Sequence, residues 1–156
     1  MTDQTARRRA VLPTLWLGAG LTLLSGAAPL VDLALTGTIA AHVRDAYPGW
    51  DAATVSMDTT AIAAWLVGTA VLGLVGWAVA IRATATGRRW ARPLSASLLA
   101  AGVVVAAMNL GLGGDAYDVI VPTVFGLLSL LPTVAGAVAV VRMGPAAARS
   151  AVGAEA

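Results

Sequence analysis

Four long runs of uncharged residues dominate the pattern of polar and hydrophobic positions along this chain. They are residues 10–31, 59–81, 93–114 and 119–141, and they contain 22, 23, 22 and 23 residues. A helix rises about 1.5 Å per residue, so each run spans roughly 33 Å, and a bilayer core is about 30 Å thick. Continuous apolar runs favour helices over the alternating strands of a barrel. The pattern predicts an all-α protein whose four transmembrane helices form two hairpins.

The segments between the runs complete a single transmembrane domain over residues 1–156. They are predicted to be an outer loop (32–58), a cytoplasmic loop (82–92) and a C-terminal tail (142–156). The glycines of Gly111–Gly114 are expected to end the third helix, and a tight turn leads into the fourth.

The outer loop carries a helical period of its own. Ile39, Val43 and Tyr47 recur every four residues, Gly37 precedes them and Pro48 stops the run. Apolar residues on one side with polar residues elsewhere are typical of an amphipathic helix. The spacing therefore predicts a short helix lying on the outer face of the membrane.

Of the prolines within the predicted spanning helices, two are expected to change the shape of their helix. Pro29 removes a backbone hydrogen bond near the outer end of the first helix, so it is predicted to bend or end that helix. Pro122 falls in the first turn of the fourth helix, where a proline is harmless. Pro132 lies in the interior of that helix and is predicted to kink it.

Composition excludes several classes of protein. Hydrophobic residues make up 58% of the chain and charged residues 12%, about half the charge of a soluble domain. There is no cysteine, no lysine and a single histidine, His42. Thiol chemistry, a multi-histidine metal site and Schiff-base chemistry are therefore excluded. The net charge of only +2 argues against a nucleic-acid partner.

The arginines indicate how the helices are oriented. Nine of the ten fall on one side of the predicted membrane, and only Arg44 falls on the other, which is otherwise acidic. Because positive residues stay cytoplasmic, the chain is predicted to be a multi-pass protein of the inner membrane with both termini inside. The nine residues are Arg7, Arg8, Arg9, Arg82, Arg88, Arg89, Arg92, Arg142 and Arg149.

The first run has an alternative interpretation as a signal peptide. Three arginines at residues 7–9 precede it, and the small residues 25–28 lie near its end. Its 22 residues exceed the roughly 7–15 of a signal-peptide core, which favours a retained helix.

Asp32 and Asn109 are the polar residues most closely associated with the spans. Asp32 adjoins the first run, and small multidrug transporters carry a functional acid in their first helix. Its position at the outer boundary favours a capping or interfacial role instead. Asn109 lies inside the third run, where an interhelical hydrogen bond is expected and a ligand contact is the alternative. We expect its amide to satisfy backbone that Pro29 frees at Ser25.

The only clustered polar chemistry outside the spans is in the outer loop. His42, Arg44, Asp45 and Tyr47 lie within six residues. A divalent ion is one interpretation, but the ligand number is poor, so a solvated helix face is favoured. The spans contain serines but no histidine that could act as the base for a serine nucleophile. The sequence therefore predicts no catalytic, cofactor-binding or metal-binding residue.

Small residues four apart indicate close helix packing. Such pairs let helix backbones approach each other within one chain or between chains. They are Ala64 with Gly68, Gly76 with Ala80, Ser97 with Ala101, and Gly102 with Ala106.

Two motifs, H-V-R-x-x-Y-P at 42–48 and G-R-R-W-A-R at 87–92, accompany an Ala/Val/Gly/Leu-rich chain whose basic residues are all arginine. In these features the chain resembles small four-helix membrane proteins of high-GC actinobacteria. The resemblance implies a cytoplasmic-membrane location. We expect a non-enzymatic accessory or interaction protein whose partners are the lipid bilayer and either a second copy or another membrane protein. The alternative is a small oligomeric transporter or channel with Asp32 or Asn109 at its site.

Overall fold

Five α-helices make up the described part of the chain, and four of them are long and apolar enough to cross a bilayer. The structure, a computed structural model, describes residues 2–144 and the side chains of 9–144. The prediction of an all-helical, multi-pass membrane protein is therefore confirmed. The helices are α1 (Thr2–Val31), α2 (Thr38–Ala46), α3 (Ala52–Ala85), α4 (Ala91–Gly111) and α5 (Thr123–Met143).

The structure bears on two of the proline expectations. Helix α1 continues through Pro29 to Val31, so this proline does not end the helix, and the bend predicted as the other possibility stays a prediction. Helix α5 begins only at Thr123, because Pro122 has extended backbone angles and precedes the first turn instead of lying in it. The connection from α4 is therefore longer than predicted, although it does contain a tight turn between Gly114 and Tyr117. The predicted tail beyond Gly144 lies outside the described residues.

Helix α1 is the centre of the bundle. It packs along both α3 and α5, and α4 packs along α5, whereas α3 and α4 contact each other much less. Glycine permits the closest approach of α1 to α3, because a Cβ atom at Gly26 would lie only 2.6 Å from that of Ala70. We call the end of the bundle that carries α2 the α2 end, and the opposite end, with Arg82 and Arg142, the arginine end.

A single π-helical turn, Asp32–Thr36, joins α1 to α2. The backbone N–H of Gly37 closes this turn by donating to the Asp32 carbonyl at 2.8 Å. Gly37 has a φ of +66°, a left-handed conformation that glycine adopts at little cost. Beyond this turn, α2 packs on the bundle, mainly against α3.

The apolar side of α2 is covered by protein. Ile39 and Val43 are fully buried in a cluster with Val55, Ile62 and Val121. The expected amphipathic helix is therefore present, but its apolar residues pack on the bundle and not on lipid. Burying two such side chains contributes roughly 1.5–3 kcal/mol each, which fixes α2 in place.

The outer surface of the spanning helices is apolar. Large aliphatic side chains on all four helices are more than half exposed, and lipid tails are the environment that such a surface requires. Examples are Leu17, Leu24, Leu72, Val75, Val104 and Val134.

Candidate functional site

An elongated cavity of about 330 Å³ runs between the four spanning helices. It reaches from Asn109 and Phe125 near the α2 end to Ala80 and Ala139 near the arginine end. Phe125 and Ala139 lie about four helical turns apart, so the cavity is roughly 21 Å long. Its volume falls within the range of about 300–1,000 Å³ that is typical of ligand sites.

The cavity opens sideways towards lipid. Of the residues that line it, only Leu72 on α3 and Ala101 on α4 are exposed. The mouth therefore lies between α3 and α4, the two neighbouring helices that pack together least.

Small apolar residues and a few neutral polar groups line the cavity. No charged residue is among those that form its wall. Every hydroxyl there donates to a backbone carbonyl three or four residues earlier in its own helix, and that of Ser25 also donates to the Leu128 carbonyl on α5 at 3.0 Å. The polar residues of the wall are Thr22, Ser25, Thr69, Trp77, Ser95, Asn109, Ser129 and Thr133.

Asn109 stands at the α2 end of the cavity and is 1% exposed. Its Oδ1 accepts a 2.9 Å hydrogen bond from Nε1 of Trp65 on α3. The prediction that the Asn109 amide bonds the backbone of α1 near Ser25 is therefore wrong, because its hydrogen bond joins α4 to α3. It bridges α3 and α4 at this end, with the Trp65 ring exposed beside it.

Trp77 fills the bundle closer to the arginine end. Its Nε1 donates to Oγ1 of Thr22 on α1 at 2.8 Å. The ring lies over Gly18, where an added Cβ atom would come within 2.4 Å of it. Only glycine allows the indole to lie against α1 here, so this close packing limits the cavity on the α1 side.

Asp32 is buried away from the cavity and holds α2. Its Oδ1 accepts from the Thr38 N–H at 2.8 Å and from the Thr36 hydroxyl, and its Oδ2 accepts from the Ile39 N–H at 2.9 Å. Free N–H groups at a helix N-terminus favour such an acceptor. The carboxylate is 3% exposed and is used in capping this short helix.

His42 and Arg44 lie on opposite sides of α2. His42 faces inward, with Nε2 2.8 Å from the Val119 carbonyl, and its ring stacks on Tyr117 at a centroid distance of 5.4 Å. Arg44 is exposed. The structure therefore brings His42 to the α4–α5 connection and leaves Arg44 in the solvated part of the helix.

Sequence reasoning missed the polar contact that ties this connection to α3. The Tyr117 hydroxyl donates to Oδ2 of Asp58 at 2.5 Å, and its ring meets Tyr47 edge-on at 5.1 Å. Tyr47 in turn stacks on Trp50 with centroids 3.8 Å apart. Burial first, and then the bond to Asp58 and its negative charge, raise the pKa of Tyr117 above its usual value. No local pattern in the sequence links residues so far apart.

The arrangement is suited to binding a neutral molecule. Within residues 9–144, no group of three or more histidine or acidic side chains is placed to hold a metal ion. What the cavity offers is apolar contact along its length and an amide at one end. No protein-family model, curated protein or solved structure matches the chain.

Proposed function

We propose that this protein is a non-enzymatic accessory protein of the membrane that acts by binding a lipid-soluble molecule in its cavity. The observation that carries the proposal is the uncharged cavity itself, which all four spanning helices line and which opens between α3 and α4. Ligand sites are mostly apolar with a few polar groups that set orientation. Asn109 is such a group.

The proposed orientation places the α2 end outside the cytoplasmic membrane and both termini inside. Arg82, Arg88, Arg89 and Arg92 follow the end of α3, whereas Arg44 is on α2. The positive-inside tendency supports this direction. In the same proposal, α1 pairs with α3 and α4 with α5 as two helical hairpins, with α2 as an external helix. A cytoplasmic reporter fused to the C-terminus should be active, and activity of an extracytoplasmic reporter there would contradict the orientation.

Two features support binding over catalysis. Asp32 is occupied in capping α2, and His42 is held against the Val119 carbonyl. Neither residue lines the cavity. An acid or base that acts on a ligand needs to lie within hydrogen-bond reach of it.

A second candidate function is a small oligomeric transporter or channel. The observation that favours it is the depth of the cavity, whose wall includes Asn109 at one end and Ala139 at the other. Transport of a cation through this path would use Asn109 alone, because Asp32 faces α2. Substitution Asp32→Asn should therefore leave any transport unchanged, and a loss of transport in that variant would contradict a path through Asn109 alone.

Close helix contact with another polypeptide is also part of the proposal. Ala64 and Gly68 are exposed on α3, and nothing lies within 4 Å of a Cβ atom added at Gly68. Small residues four apart allow a second copy of the chain or another membrane protein to pack closely there. The lipid bilayer is the partner along the rest of the surface, and no nucleic-acid partner is proposed.

The function is tested by finding what the cavity retains. The full chain is extracted in polymer-bounded membrane discs, and retained molecules are identified by native mass spectrometry. Substitution Gly102→Leu extends a side chain into the cavity, since only Thr133 lies near an added Cβ atom, at 3.6 Å. We expect the natural chain and a Gly20→Leu control, which has open space around it, to retain one lipid-soluble molecule that Gly102→Leu loses. Equal retention by all three would contradict the proposal.

A further inference from the structure

The shape of the cavity restricts its occupant to a long, thin molecule. A length of roughly 21 Å combined with a volume of about 330 Å³ leaves room for a chain and not for a bulky ring system. One leaflet of a bilayer core is about 15 Å deep, so a lipid tail has a suitable length. The mouth between Leu72 and Ala101 faces the bilayer, where such tails are abundant.

The wall of the cavity has one donor group to spare, the amide nitrogen of Asn109, which carries two N–H donors. The hydroxyl protons of its serines and threonines are used by backbone carbonyls, and Trp77 donates to Thr22. Asn109 uses its Oδ1 to accept from Trp65, and its amide nitrogen Nδ2 donates to no other residue in the part of the chain that the structure describes. Protein atoms do not cover Nδ2 completely, since it is not among the fully buried side-chain atoms that lack a partner. An amide nitrogen that lines an apolar cavity without a partner is costly, so the occupant should bring an acceptor to Nδ2.

The position and charge of the site identify that acceptor. Asn109 lies two residues before the end of α4 at Gly111, near the membrane boundary, which is the depth of lipid ester groups. No cation lines the cavity, and a buried carboxylate without one is strongly disfavoured. A neutral ester carbonyl therefore fits better than the carboxylate of a free fatty acid.

We propose that the cavity binds one acyl chain of an ester-linked membrane lipid, whose ester carbonyl accepts a hydrogen bond from Nδ2 of Asn109. The chain enters between α3 and α4 and extends towards the arginine end. The head group stays outside, beside the partly exposed Trp65. This assignment rests on the proposed function, since it names the molecule that the cavity holds.

The ester carbonyl is tested by comparing two lipids that differ only there. The full chain is placed in nanodiscs with equal amounts of phosphatidylglycerol and its ether-linked analogue, which has the same head group and tails but no carbonyl. Native mass spectrometry then measures which lipid stays bound. We expect the natural chain to prefer the ester lipid about five-fold, the ratio that one neutral hydrogen bond supplies.

Two variants separate the carbonyl contact from the cavity itself. Substitution Asn109→Leu should abolish the preference between the lipids while either is still retained, whereas Gly102→Leu should lose both and Gly20→Leu neither. Helical circular dichroism checks that each variant is folded. The comparison of ester and ether lipids in the natural chain requires no variant at all.

The remaining outcomes distinguish this inference from the proposed function. Equal retention of ester and ether lipids by the natural chain would overturn the carbonyl contact. Displacement of both by added palmitate at pH 7 would identify a free fatty acid as the occupant instead of the ester. Retention of a lipid-soluble molecule without acyl chains would overturn the inference and leave the proposed function standing. Retention of nothing above the Gly102→Leu level would overturn both.

Discussion

The indole of Trp65 and the amide of Asn109 form the one side-chain hydrogen bond that joins α3 to α4 among the described residues, with 2.9 Å between Nε1 and Oδ1. Elsewhere these two helices separate enough to open the cavity to lipid. The bond therefore sets the width of the mouth at the α2 end. It also orients the Asn109 amide so that its nitrogen is left for a ligand.

A double-mutant cycle should measure this bond. Trp65→Phe and Asn109→Leu each remove it, so their effects on the free energy of unfolding should not add. We expect a coupling energy of about 0.6 kcal/mol, the usual value for side-chain bonds between spanning helices. The measurement is denaturant unfolding of the purified protein in micelles. Trp77→Phe, which removes the bond to Thr22 instead, should show no coupling to Asn109→Leu, and coupling there would contradict the assignment.

Loss of the Asp32 cap should loosen α2 alone. In Asp32→Asn only one side-chain oxygen remains to accept, so one of the N–H groups of Thr38 and Ile39 is left without its acceptor. The expected cost is about 1–3 kcal/mol, the usual cost of a buried donor left without its acceptor. Hydrogen exchange should quicken at residues 38–46 and stay unchanged in α5. Asp45→Asn, which removes an exposed charge from the same helix, serves as the control and should leave exchange in α2 slow.

Tyr117 should make the protein sensitive to alkali. Its folded-state pKa lies above that of a free tyrosine, so the protein is most stable below about pH 10 and loses this contribution as pH rises through the folded pKa. The chain contains two tyrosines and no lysine, so few other groups titrate in this range. In thermal unfolding experiments, the unfolding temperature of the natural chain should fall above about pH 10.

Two phenylalanine variants assign that effect to one hydroxyl. Tyr117→Phe should lower stability at pH 7 by about 1–2 kcal/mol through loss of the bond to Asp58 and should flatten the alkaline decrease. Tyr47→Phe should retain the decrease. A decrease of equal size in Tyr117→Phe would show that another group causes it.

Glycine at 126 should be essential for the packing of α4 on α5. An added Cβ atom would lie 2.7 Å from Cδ2 of Leu110 and 3.0 Å from the backbone oxygen of Asn109. Gly126→Ala should therefore cost about 1–3 kcal/mol, measured by thermal unfolding. Gly20→Ala meets nothing within 4 Å and should be neutral or stabilising by up to about 1 kcal/mol, since alanine favours helix. Equal effects of the two substitutions would contradict the packing described.

The positions of charges predicted the spanning helices well because bilayer thickness sets their length. Asp58 and Arg82, for example, bound the second run. Helix α3 begins only about two turns before Asp58 and ends about one turn after Arg82. The start of α5 was placed too early because residues 119–122 are apolar without being helical. Val121 is instead buried against α2. Hydrophobicity alone does not distinguish an apolar residue in a spanning helix from one in a buried connection.

The site was less predictable because its contacts join distant parts of the chain. Asn109 was singled out for its polarity, but its partner Trp65 is 44 residues away and carries no signal of pairing. A capping or interfacial role is predicted for Asp32 from its position at the outer boundary of the first run, but not that the N–H groups it caps lie six and seven residues later. An ordinary N-cap bonds two or three residues ahead, so only the π-helical turn makes this reach possible.

The burial of α2 has a consequence for the synthesis of the protein. Helix α2 is made early, but His42 bonds a carbonyl 77 residues further along the chain, and Val121 completes the cluster around Ile39 and Val43. Until that late segment arrives, both aliphatic side chains lack part of their cover. An unfinished chain therefore displays an apolar helix face that a finished chain conceals, and α2 distinguishes a completed copy from an incomplete one.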